Sequence, residues 1–271
     1  MDSIESSGRW NLKRRKVLGL ALGGVLLTLA SAWWFARVVA ELPCVLAFFP
    51  VAVMGSVIAR GLWEWRAVRR RAWLGLYLRS GSWWWRVLQP GLLMRAGATI
   101  VGLGLAAAWL FEWLRWGWPL LVLLTLNAPV FYAVVVAVQW LLRNEAHARW
   151  VGPLASVLAV RVNIVLLLLA LTVMQLFGNQ SDYRGLAHSS VLVAVGAVPA
   201  YECGVMGTLV RANVYWHESM QWGLQNAVGD AAAGGVVALL AWMFWFLMSG
   251  GMAWAWSRFL VGLLPAHEVT P

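Results

Sequence analysis

A carboxylate is costly inside a membrane-length apolar run, and this chain carries one, Glu202, within the stretch VPAYECGVMG. At the centre of a bilayer helix a charged side chain costs a few kcal/mol, so its presence calls for a reason. Pro199 withholds a backbone donor nearby, while Gly204 and Gly207 admit the close approach of another backbone. Two roles are open for Glu202. It can serve as a proton-linked or cation-binding group at a broken helix, or it can hold helices together through a hydrogen bond or ion pair. Arg95 is the natural partner. Counted from the cytoplasmic side, it lies four residues into the third apolar run and Glu202 nine residues into the sixth. At about 1.5 Å per residue their depths differ by roughly 7 Å, within reach of an arginine. Arg95 can equally snorkel to the headgroups. Asn127 and Pro129, in TLNAPVFY, place a second helix break at the centre of the fourth run. Asn127 either binds a substrate there or bonds across to a neighbouring helix.

Other chemistries lack a required residue. His147, His188, His217 and His267 are scattered, and none lies deep in an apolar run, which argues against a membrane haem. The segment HESMQ from His217 begins like a zinc-protease helix, but Gln221 stands where the second histidine must be. The chain has no Walker A loop, dinucleotide fingerprint or Gly-x-Ser-x-Gly elbow. No lysine follows Lys16, which excludes a retinal-type Schiff base in the later helices. The reading is of a non-enzyme with no cofactor and no metal. Cys44 and Cys203 both sit in apolar runs and read as buried small residues rather than a bonded pair.

The elements that position these residues are transmembrane helices. Of 271 residues 62% are hydrophobic and only 12% charged, about half the charged share of a soluble domain. The 21 tryptophans cluster at the ends of apolar runs, as at Trp33 and Trp34 or Trp116 and Trp118, where an indole has one end dry and the other wet. The fold class expected is therefore all-α: a polytopic membrane protein of about seven spans with no soluble domain. The whole chain, 1–271, reads as a single membrane domain. The spans run about 17–35, 43–59, 91–114, 118–142, 154–177, 189–210 and 230–248. Arg9, Lys13, Arg14, Arg15 and Lys16 precede the first run, and a second follows within about ten residues, so the first reads as an uncleaved anchor.

Basic residues set the orientation. With the N-terminus in the cytoplasm, fifteen Lys and Arg fall in cytoplasmic segments and four outside, with Arg95 and Arg161 left within spans. The expected location is a bacterial-type inner membrane, N-terminus cytoplasmic and C-terminus external. The +10 charge reports this topology and not a nucleic-acid partner. Residues 60–90 alternate arginine with aromatic and aliphatic residues. Either they lie in the headgroup plane, with Arg69, Arg70, Arg71, Trp83, Trp84 and Trp85 on anionic cytoplasmic-leaflet lipid, or they pack on neighbouring helix ends. The tail 252–265 reads as interfacial, too short to span after Ser249-Gly250-Gly251. Gly19 and Gly23 form a GxxxG in the first span, and Ala98 with Gly102 repeats the small-xxx-small pattern. The first span is the one expected to meet another protein. The functional expectation is a non-enzymatic component of a larger envelope complex, for secretion, transfer or assembly, with other membrane subunits or further copies as partners. The alternatives are a proton- or cation-linked transporter or channel using Glu202 and Asn127, and a membrane-embedded lipid-modifying enzyme.

Overall fold

A computed structural model describes residues 2–79, 82–84, 91–177, 181–227 and 234–264. No strand occurs among them. The helices are α1 (Asp2–Val38), α2 (Cys44–Ala47), α3 (Phe49–Tyr77), α4 (Leu92–Trp116), α5 (Trp118–Leu142), α6 (Ala148–Phe177), α7 (Val191–Gly196), α8 (Gly204–Ala227) and α9 (Gly234–Gly262). Five stretches are long and apolar enough to cross a membrane: Ala21–Glu41, Cys44–Glu64, Leu92–Trp116, Trp118–Leu142 and Trp150–Gln175. Their starts follow local chemistry. Pro50 and Pro119 occupy the first turns of α3 and α5, where a missing N–H costs nothing. Gly117, with φ of 59°, turns the chain between α4 and α5 within one residue, a conformation that side chains bearing a Cβ resist.

The helices pack through small residues. The α3–α4 contact is close, with a Cβ added to Gly102 lying 2.6 Å from the Gly55 carbonyl oxygen and 2.9 Å from the Ala59 side chain. On another side of α3, Gly61 abuts the backbone of Arg258 and Gly262 that of Val57, so α9 lies directly against α3. The pattern at Ala98 and Gly102 is thus spent within the chain. Gly19 and Gly23 are not, since nothing approaches their Cα within Cβ range.

The expected sixth span is not one helix. His188–Ser190 is a single 3-10 turn, α7 ends at Gly196, and residues 197–203 are non-helical before α8 starts at Gly204. Pro199 therefore marks a genuine break, whereas Pro129 sits inside an α5 that continues to Leu142. Nor does α8 run from one end of the bundle to the other. Its start is tied to the α1–α2 connection, where the Glu202 N–H donates to the Ala40 carbonyl at 2.8 Å. Its second half is tied to the segment after α6: Gln221 and Gln225 donate to the Ser181 carbonyl, and Asn226 to that of Tyr183. Both attachments lie at one end, which also holds the C-terminus of α4. From there α9 runs back. Trp109, in the second half of α4, donates to the Met252 carbonyl at 3.0 Å, while Leu264 reaches Arg60 and Leu263 lies beside Gly24.

Two other segments are continuations of long helices. Residues 252–262 continue α9 through Gly250 and Gly251 and form the most buried part of the bundle, with Ala253, Ala255, Trp256, Ser257 and Leu260 at 0–1% exposure. The basic segment from Arg60 to Tyr77 continues α3 without interruption. Arg70 lies against Met94 in the first turn of α4, so helix packing holds at least that far.

Candidate functional site

Three polar features stand out in an apolar bundle, and the first is a closed knot in its middle. Asn127 of α5 and Asn163 of α6 exchange amide hydrogen bonds of 2.8 and 3.3 Å. The Trp256 indole N–H donates to the Asn127 oxygen at 3.0 Å, and Asn163 donates to the Ser257 hydroxyl at 2.9 Å. Ser257 donates in turn to the Ala253 carbonyl. In hydrocarbon an amide needs partners at both ends, and here each amide satisfies the other. Asn127 thus bonds across helices rather than lying open to a ligand.

The second feature is a charged lock at the end where α8 sits. Glu112, one turn from the C-terminus of α4, bonds to His217 of α8 and to Arg115 on its own helix at 3.2 Å. All three side chains are largely buried, at 13–18% exposure. A cavity of about 70 Å³ adjoins them, with Asn213, Leu171 and Ser249 in its wall. A carboxylate orienting an imidazole is the usual support of a general base, and Ser249 shares the chamber. The chamber, however, holds only a few water molecules. As built, the pair fastens α8 to α4.

The third feature is covalent. Cys44 and Cys203 form a disulfide with Cα atoms 4.8 Å apart, which corrects their reading as separate buried residues. Farther along, residues 181–190 fold onto the second half of α8. The Tyr183 phenol donates to Glu218 at 2.7 Å, and its own burial and that carboxylate both push it above its usual value. It therefore stays protonated and donating at neutral pH. His188 meets Ser219 and packs edge-on against Tyr215 and Trp222. The 159-residue separation of the cysteines would be worth about 5 kcal/mol in a free chain by loop entropy. Inserted spans already confine the unfolded chain, so Cys44→Ser is expected to cost about 2 kcal/mol. A lowered melting temperature in detergent, reproduced on wild type by reductant, would bear this out.

The sequence-derived candidates do not assemble into one site. Glu202 is exposed in the 197–203 turn beside the disulfide, at an end of the bundle. Arg95 stacks on the Trp63 ring, 4.8 Å from its centroid, and no ion pair joins it to Glu202 among the described residues. Trp83 and Trp84 are exposed and meet edge to face, and Arg69 is exposed. Trp85 and the Arg71 side chain lie outside the described residues. Three residues of consequence carried a readable signal. Glu112 is an acid inside the third run, Asn163 an amide inside the fifth, and His217 heads the rejected zinc-like segment. No family model, curated protein or solved structure matches the chain.

Proposed function

We propose that this chain is a non-enzymatic, multi-pass component of a bacterial inner-membrane complex, serving as an assembly subunit rather than a conduit. The observation that carries the reading is the bare Gly19–Gly23 face of α1. Gly23 lies within the candidate span Ala21–Glu41 and Gly19 half a turn before it, with nothing in Cβ range of either among the described residues, beside the exposed Leu26 and Leu27. A GxxxG face lets a second helix approach closely, and within the membrane such packing drives association. The closed Asn127–Asn163 knot supports the same reading, because it leaves no amide free at mid-depth for a transported solute.

Two independent features support the orientation. Disulfides persist in oxidising compartments, so the Cys44–Cys203 end faces outside. The opposite end carries Lys13 to Lys16 and the arginines from Arg66 to Arg79, in keeping with a cytoplasmic side. With α8 held at the outer end, α9 becomes the sixth crossing, and the C-terminus moves to the cytoplasmic side. Arg69, Arg70, Trp83 and Trp84 then lie at the cytoplasmic leaflet, where anionic lipid is the expected contact.

The α1 face gives the test. Gly19→Leu with Gly23→Leu is expected to convert a large species in mild detergent into one of monomer mass, with the melting temperature unchanged. A native gel of crosslinked and uncrosslinked membranes reads the assembly, and a thermal melt of the purified protein reads the stability. An unchanged assembly, or proteoliposomes of wild type that carry a solute or cation current, would defeat the proposal.

A further inference from the structure

An apolar groove of about 650 Å³ lies between α1, the α2–α3 corner and α4, in the half of the bundle nearest the disulfide. Its floor is buried, formed by Phe35, Val51, Ala106 and Trp109; its rim is exposed, with Leu27, Trp34, Leu46 and Phe49 each at least half accessible. The groove is therefore open along its length to whatever surrounds the helices. It offers almost no hydrogen bond, since the two hydroxyls in its wall are spent: Thr28 donates to the Gly24 carbonyl and Ser31 to that of Leu27. An occupant must be apolar throughout.

Size narrows the choice. A helix is about 10 Å across and rises about 5.4 Å per turn, so 650 Å³ holds little more than one turn and no transmembrane helix. The volume falls instead within the roughly 300–1,000 Å³ typical of small-molecule sites, and a slender hydrocarbon chain fits both shape and polarity. Charge defines the head. Arg37, one turn beyond Trp34, is exposed and stacks on Trp33, with its guanidinium carbon 4.0 Å from the ring centroid. Glu41, next to the groove-lining Leu42, is exposed. A cation and an acid at the same end of the groove complement a headgroup that carries both signs.

We propose that the groove holds an acyl chain of a zwitterionic glycerophospholipid from the leaflet at the disulfide end, with its phosphate toward Arg37 and its ammonium toward Glu41. The proposal rests on α1, α3 and α4 spanning the bilayer. Loss of the protein from the membrane fraction would overturn that premise rather than the lipid assignment.

Full-length protein is extracted, washed extensively in detergent and weighed by native mass spectrometry after exposure to equal phosphatidylethanolamine and phosphatidylglycerol. One retained phosphatidylethanolamine per chain is expected. Ala30→Trp, which fills the groove from its exposed rim, should lower that occupancy at least fivefold with the melting temperature unchanged. Should that variant fold poorly, Val53→Trp fills the same groove from α3. Arg37→Gln should abolish the preference between headgroups. No retained lipid, equal retention by a folded groove-filled variant, a preference for phosphatidylglycerol, or a protein crosslinked from Val53 each overturns the proposal.

Discussion

Gly262→Ala is expected to yield little or no folded protein. The added methyl would run into the carbonyl oxygen of Val57 on α3, a backbone atom that cannot turn aside as a side chain can. Overpacking of a tight core typically costs about 1–3 kcal/mol, occasionally more. A clash between two helix backbones belongs at or above the top of that range, and Gly61→Ala, against the Arg258 backbone, should behave alike. Gly97→Ala and Gly250→Ala supply the control. Nothing lies within Cβ range of either glycine, and alanine is the better helix former by about 1 kcal/mol, so both should match or exceed wild type. Monodisperse yield on gel filtration and melting temperature read the contrast. Equal behaviour of Gly262→Ala and Gly97→Ala would contradict the α3–α9 packing.

The second large effect is expected at the amide knot. Asn127→Leu strands the Trp256 indole N–H and the Asn163 amide oxygen, while the Asn163 NH2 keeps its bond to Ser257. Each buried polar group left without a partner costs about 1–3 kcal/mol. Single hydrogen bonds in membrane bundles are worth only about 0.6 kcal/mol on average. With two groups stranded at once, a loss of about 3 kcal/mol is expected from these two ranges. The double change Asn127→Leu with Asn163→Leu should cost little more than the single one, because the second substitution removes a group already orphaned. Additive losses would mean that the two amides do not act as a unit. Unfolding in detergent by denaturant titration measures both.

Much of the bundle is written in its apolar runs. Five candidate spans coincide with runs visible in the sequence, because hydropathy and length are the signal and nothing competes with them. The outer region is hidden for physical reasons. Residues 189–210 are apolar enough to read as a span, yet Gly196, Pro199 and Gly204 bracket a break whose consequence depends on tertiary ties. Those ties run from Cys44 to Cys203 and from Tyr183 to Glu218, and no local pattern announces them. The count of basic residues is blind to the difference. Moving α8 to the outer end shifts Arg211 outside and takes Arg258 into the α9 crossing, where it is buried, so fourteen basic residues inside still face four outside. The tail 252–264 looks too short because Ser249-Gly250-Gly251 reads as an interruption, while the glycines here simply continue α9.

The site is legible in part. Asn127 stands out as an amide at mid-span, but its role depends on Asn163 and Ser257, which single-residue reading passes over. Glu202 draws attention as an intramembrane acid only as long as the sixth run spans; released from that position, it is a surface carboxylate on a turn. Glu112 is an acid that helices do enclose, and its partner His217 lies 105 residues away in the sequence.

The topology turns on whether α8 stays at the outer end and α9 crosses back. Paired reporters, one enzymatically active only outside the cytoplasm and one fluorescent only inside, can be fused after Gly185 and at the C-terminus. The expected result is an external Gly185 together with a cytoplasmic C-terminus. A C-terminus that reads external would mean that α8 traverses the bilayer, and would contradict both the six-crossing topology and the outer cap built on Cys44 and Cys203.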